Sequence, residues 1–347
     1  MRAKLAIYGG AAMLLLAVSI VVSLSIGSSG LPLADVWGIL IHQLPWMSDP
    51  STHWDASEIA IVTQLRLSRI LLSVFVGACL ALAGSGFQGV LRNPLADPFT
   101  LGVASGCSVG AAFMIVFGYT AWLGLWSVPL VAFGTGMVTL VLVFSLSRAR
   151  GTMNVESLIL SGVIVQAFLG AFVSFMVSMS QGVVNEVMFW LMGSLSTRSW
   201  EHVKLIMPFA IIGLPLMFRY SQHLNLFVMG ERHAAHLGVN VERTKLVVLI
   251  LSTLLTAVAV SIAGVVGFVG LVVPHLIRLL VGPDYRIIVP LSAVGGGIYL
   301  LWADTLARTA LSPKEISLGV VTAIIGAPFF AYLLYRRKVL QAGGSST

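Results

Sequence analysis

From Pro98 to Ser147 the chain runs 50 residues without one charged side chain, and from Leu246 to Ile277 it runs 32 more. Soluble folds do not bury runs of that length, whereas a membrane-spanning helix needs only about 20 apolar residues. Composition agrees: 10% of the residues are charged, 58% are hydrophobic and the mean hydropathy is +0.98. Globular domains carry roughly 25% charged residues. Unbroken runs predict helices rather than barrel strands, because a barrel strand alternates and offers only about 10 residues at a time. The 347 residues leave room for about nine to eleven spans and for no second, soluble domain. Cys79 and Cys107 both fall in apolar runs and read as small buried hydrophobes.

Ten hydrophobic elements follow one another. Leu5–Ile26, at 22 residues, exceeds the roughly 7–15 of a signal h-region and reads as a retained span despite Arg2 and Lys4 before it. The stretch Gly27–Gln64 carries Asp35, Asp49, Asp55 and Glu58 but no Lys or Arg, with Trp37, Trp46 and Trp54 as interface anchors. Next come Ile70–Leu91, two spans within Pro98–Ser147, Ser157–Asn185, and a short Leu205–Phe218 with Pro208 and Pro215. The run Leu246–Ile277 overshoots a bilayer as one helix, and Gly264, Gly267, Gly270 and Pro274 divide it into a full span and a half-length one. Ile287–Leu306 and Ile316–Tyr335 complete the set. The elements after Asn93-Pro94-Leu95-Ala96-Asp97-Pro98 and after Gly264–Gly267 are expected to be short. They hold matching places in two four-helix halves that start at the second and seventh elements, so they enter from opposite sides. The expected fold is an all-α polytopic membrane protein of about ten transmembrane helices, with two inverted halves and short broken helices, a transporter pattern. It forms one domain over 1–347: a first span and outer loop (1–64), a core (65–338) and a cytoplasmic tail (339–347).

Placing both termini in the cytoplasm leaves six basic residues outside, Arg66, Arg69, Arg198, Lys204, Arg308 and Lys314, and fourteen of the twenty inside. The formal charge of +7 is therefore a topology signal rather than a nucleic-acid one. No lysine follows a glycine, so no GxxxxGK[ST] loop exists and any ATP belongs to a partner. Glu156, Asp304 and Glu315 lie near predicted span ends, which argues against an ion-coupled secondary transporter. His275 reads as a packing histidine, and His233-x-x-His236 as part of a solvated loop rather than a metal pair. No cofactor is expected. Ser85 and Ser105 beside glycines fit close helix packing better than an intramembrane hydrolase's nucleophile. Met176, Met179, Met188 and Met192 read as packing, though a polarizable lining suits a path for bulky cargo.

At Arg66-Leu-Ser-Arg69, Asn93-Pro-Leu-Ala-Asp-Pro98 with Leu101-Gly102, Gly267-Phe-Val-Gly-Leu271 with Pro274-His275, Ala303-Asp304 with Arg308, and Gly319-Val-Val-Thr-Ala323 with Gly326-Ala-Pro328, the chain resembles the FecCD-type permeases. These are membrane subunits of ABC importers for iron–siderophores, haem and vitamin B12. The likeness runs from about Leu65 to Arg337, the core above. It implies a ten-helix subunit of a bacterial cell membrane, paired with an identical or paralogous permease about a two-fold axis. It also implies two cytoplasmic ATPase subunits and an extracytoplasmic binding protein. A ferric siderophore is the first cargo it suggests, with haem and cobalamin as alternatives. Ser68 and Ser317 stand where the family usually has proline. Carried onto this sequence, binding-protein docking falls on Arg66, Arg69 and Arg308. The cytoplasmic coupling segment falls on Gly230–Gly238, with Glu231, Ala234, Ala235 and Leu237 inside it and the two alanines and Leu237 offered to the partner. The cytoplasmic gate region falls on Asn154, Val155 and Glu156, and the broken-helix motifs on Asn93, Pro94, Asp97, Pro98, Gly267, Gly270 and Pro274.

Overall fold

The computed structural model describes residues 2–27, 31–42, 54–149, 152–153, 155–180 and 182–344. Helix α1 (Arg2–Ser25) leads to α2 (Leu33–His42) and α3 (Ala56–Ala60), which continues through a π-helical turn (Ile61–Arg66) into α4 (Leu67–Leu91). A 3-10 turn (Pro98–Leu101) precedes α5 (Val103–Val116), and α6 (Ser127–Ser147) follows. A two-residue antiparallel ladder, β1 (Arg148–Ala149) with β2 (Thr152–Met153), turns the chain into α7 (Val155–Met179). The rest is α8 (Val184–Leu191), α9 (Trp200–Val228), α10 (Glu231–His236), α11 (Val241–Ala263), α12 (Val269–Val281), α13 (Tyr285–Thr309) and α14 (Leu318–Gly344).

The ten hydrophobic elements are α1, α4, α5, α6, α7, α9, α11, α12, α13 and α14. Among the described residues seven helices are long and apolar enough to cross a membrane, with α5, α12 and the apolar part of α14 shorter. The expected short pair is α5, with 14 residues, and α12, with 13. At about 1.5 Å per residue neither crosses a hydrocarbon core about 30 Å thick.

One span is corrected. The stretch expected to be short, Leu205–Phe218, is α9, which has 29 residues and runs past both Lys204 and Arg219. Its first turn is closed by a capping box between Ser199 and His202, and Lys204 pairs with Glu201 at 2.7 Å on the exposed face. Those charges mark where the bilayer ends, not where the helix does.

Helices α4, α11 and α13 form the centre. Gly77 of α4 lies against the backbone of Gly296 of α13, and Gly84 of α4 against that of Gly270 of α12, so that a Cβ at either glycine would strike main chain. Small residues let backbones approach where lipid supplies no hydrophobic drive. The two halves repeat one arrangement: α4 packs on α11, and each packs on the short helix that follows the other. Likewise α13 flanks α4 as α6 flanks α11.

Both breaks are built locally. Helix α4 stops at Arg92 in the left-handed region (φ 50°). Asn93 Oδ1 accepts from the Leu95 N–H at 2.9 Å, and Asp97 Oδ1 from the Phe99 N–H at 2.9 Å. Pro98 opens the 3-10 turn, where its missing N–H costs nothing. In the second half Gly264 (φ 73°) and Phe268 (φ 68°) reverse the chain before α12. Pro274 lacks the N–H that would reach the Gly270 carbonyl. Gln88 of α4 compensates, its Nε2 donating to Leu271 O at 3.1 Å and Gly270 O at 3.4 Å, as the bilayer interior requires of a freed carbonyl.

Candidate functional site

At one end of the bundle α1, α4, α13 and the segment before α14 are held by arginines. Arg69, in the first turn of α4, places Nη2 2.9 Å from Asp304 Oδ1 and Nη1 2.9 Å from Glu315 Oε1. Asp304 is only 1% exposed. Arg308, one turn further along α13, donates from Nη2 to Ser23 O at 2.6 Å and Ser23 Oγ at 2.9 Å. Arg66 donates from Nη1 to Leu24 O at 3.1 Å. Of the three arginines expected to dock the binding protein, Arg66 and Arg308 are buried and Arg69 is 14% exposed. Main-chain carbonyls at the end of α1 hold Arg66 and Arg308 inward, while the buried Asp304 needs a counter-charge and hydrogen bonds, and Arg69 supplies both. The sequence locates Asp304 and Glu315 near span ends, but separations of 235 and 246 residues from Arg69 give no signal that they meet.

At the other end α10 forms between the expected glycines. Gly230 (φ 105°) opens it and Gly238 (φ 84°) closes it. The Val239 N–H reaches Ala234 O at 3.1 Å and the Gly238 N–H reaches Ala235 O at 3.0 Å, a Schellman termination. Glu231 fastens the helix to its neighbours, accepting from Lys245 of α11 at 2.6 Å and pairing with Arg92 of α4 at 3.5 Å. Lys245 is buried, a role the sequence did not suggest, although its i+14 placement brings it to the base of α11. Ala235, Leu237, Arg232, His233 and His236 are exposed, whereas Ala234 is fully buried. The expected contact surface is corrected at that position: Ala234 packs α10 onto its own chain and is not available to a partner.

Nearby, Asp284 caps α13. The side-chain hydrogen bond from Arg286, helped by Asn225 at 2.7 Å, holds its carboxyl down at about 2.

In the expected gate region Asn154 lies outside the described residues, while Val155 and Glu156 open α7. The outward side of α7 carries Gln166, Gly170, Ser174 and Ser178, all exposed. Their regular i+4 spacing, visible in the sequence, is the signal that finds this strip. Of the four methionines, Met176 is buried, while Met179 and Met188 are exposed. The ring of His275 stands 5.6 Å from that of Phe330.

The model of the FecCD transport family matches residues 15–336. The chain belongs to the FecCD transport family. Among FecCD relatives, the Uncharacterized ABC transporter permease protein YvrB of Bacillus subtilis is 41% identical over 333 residues, covering 95% of this chain and 93% of that protein. The Cobalamin import system permease protein BtuC of Halobacterium salinarum is 43% identical, covering 80% of this chain and 74% of its own length. The Hemin transport system permease protein HmuU of Yersinia pestis is 40% identical, covering 80% and 84%. A solved structure described as an inward-facing conformation of a metal-chelate type ABC transporter superposes with a TM-score of 0.82 at 34% identity, over 95% of this chain and 99% of that one. The FecCD arrangement of spanning and half-length helices makes this a multi-pass membrane permease subunit.

Proposed function

We propose that the chain is the permease subunit of a binding-protein-dependent ABC importer for metal chelates, carrying a ferric siderophore into the cytoplasm. The observation that supports this best is the pair of half-length helices, α5 packed on α11 and α12 packed on α4, each following a break in the chain. Two helices broken at the centre supply the irregular backbone that transport folds place along a path. A second permease copy, identical or paralogous, pairs across the exposed polar strip of α7, since Gln166 and Ser174 gain nothing from facing lipid. The path then runs between the copies, with Val155 and Glu156 at its cytoplasmic mouth.

Two ATPase subunits meet α10 through Ala235 and Leu237. An extracytoplasmic binding protein docks on the end where Arg66, Arg69 and Arg308 gather. Arg69 and Glu315 form the accessible edge of that cluster, Glu315 being 37% exposed, and the other two arginines hold the helices that shape it. Both termini lie on the cytoplasmic side of a bacterial cell membrane. Haem and cobalamin remain the alternative cargoes, since relatives named for each match over most of this chain. The ion-coupled alternative is disfavoured by Asp304, whose charge is matched by Arg69 rather than left for an ion.

The test is reconstitution. Permease, ATPase and binding protein encoded alongside one another, placed in liposomes, should import a ferric siderophore only with ATP inside and the binding protein outside. Uptake driven by an ion gradient without ATP would overturn the reading.

A further inference from the structure

Between the end of α8, the start of α9 and the Gly264 break lies a cavity of about 440 Å³, with Glu186, Trp190, Ser194, Ser196, Thr197 and Arg198 on its wall. Its floor is main chain: a Cβ on Gly264 would strike the Trp190 carbonyl, and the Ser194 N–H is bonded to Ala263 O at 2.9 Å. Arg198 is half-buried, and its Nε is fully covered with no hydrogen-bond partner among the described residues. No carboxylate among those residues lies within ion-pair distance of it. The charged groups around it are accounted for. Glu186, in the first turn of α8, is exposed and unpaired with Arg198, Glu201 pairs with Lys204, and His202 is buried, with Nδ1 spent on the Ser199 cap and Nε2 without a partner among the described residues.

Arg198 is thus a cation on the wall of a cavity that Ile115, Phe189, Trp190 and Ala263 make mainly apolar, with no carboxylate paired to it among the described residues. Arg66, Arg69 and Arg308 each donate to an internal partner, although Arg308 Nε, like Arg198 Nε, is covered without a hydrogen-bond partner among the described residues. A guanidinium so placed is strongly favoured by an anionic oxygen group, and Thr197 adds a neutral hydroxyl beside the Ser194 and Ser196 hydroxyls, which bond each other at 2.9 Å. We infer that this cavity receives the carboxylate face of an anionic metal chelate on its way to the break, so that Arg198 selects anionic over neutral cargo. The inference rests on the import reading and narrows its substrate class.

The test uses the purified full chain in lipid nanodiscs, with ferric citrate and a neutral ferric trihydroxamate as probes. Ferric citrate should bind saturably and quench a fluorescence component that is missing from Trp190→Phe. Arg198→Gln should weaken that binding about tenfold or more, the worth of a charge-assisted hydrogen bond. Arg198→Lys, which keeps the charge but not the planar fork, should fall between wild type and Arg198→Gln, and the trihydroxamate should not respond to either change. Ser196→Asp, at an exposed position, sets a competing carboxylate beside Arg198 and should also abolish citrate binding, which covers the case that Arg198→Gln fails to fold. Unchanged citrate affinity in well-folded Arg198→Gln or Ser196→Asp overturns the inference. If the reconstituted importer carries chelates without any charge preference, this inference falls while the import reading stands. Arg198-dependent citrate binding by a chain that transports no chelate does the reverse.

Discussion

Asp304 and Arg69 decide how the outer arginines behave. With Asp304 1% exposed and Arg69 14%, removing one partner leaves a buried charge uncompensated, a loss of about 3–5 kcal/mol. Asp304→Asn and Arg69→Gln should therefore each lower the melting temperature of the detergent-purified subunit, and the drop should be alike at low and high salt. Screening acts on exposed charges. A variant that melts normally but loses binding-protein affinity, and regains it at high salt, would make Arg69 a docking residue first. Asp284 titrates in the opposite part of the molecule. Its carboxyl is held at about 2 against an ordinary 3.8, a lowered folded-state value, so its contribution is fully present above pH 4 or so and is lost as pH falls towards 2. The melting difference between wild type and Asp284→Asn should accordingly be constant from pH 5 to 7 and shrink below pH 4.

Among the elements, α10 separates folding from contact. Ala234 is buried and Ala235 and Leu237 are exposed, so Ala234→Glu should detach α10 and lower the melting temperature. Ala235→Glu with Leu237→Glu should leave the fold intact and release the ATPase subunits on co-purification. If the exposed pair of changes leaves the ATPase attached and uptake normal, α10 is not the coupling contact. Helix α12 offers a rescue experiment. Gln88→Leu strips the Gly270 and Leu271 carbonyls of their donor and should cost about 1–3 kcal/mol. Adding Pro274→Ala restores an N–H for the Gly270 carbonyl and should recover part of the loss. Absence of any recovery would mean that Gln88 acts through packing alone.

For the whole molecule, topology is the first expectation: reporters fused after Lys338 should be active inside, and those inserted between Asp49 and Glu58 active outside. The reverse pattern would turn every side assignment over. Much of this scale was legible in the chain. Charge-free runs located all ten membrane elements, and the Asn93–Pro98 and Gly264–Gly267 punctuation located the short pair, because hydrophobic length and proline or glycine breaks act through neighbouring residues. Glycines at 230 and 238 bounded α10 for the same reason. The length of α9 was not legible, since a charge shows where lipid stops and says nothing of the helix beyond it. Tertiary structure alone decided which side chains meet: Arg69 with Asp304 and Glu315, Lys245 with Glu231, and Gln88 with the carbonyls that Pro274 leaves free. It also turned Ala234 inward and left Arg198 facing a cavity. Local propensity and bilayer hydropathy act along the chain and can be read from it, whereas a charge finds its partner only through the packing of helices distant in sequence.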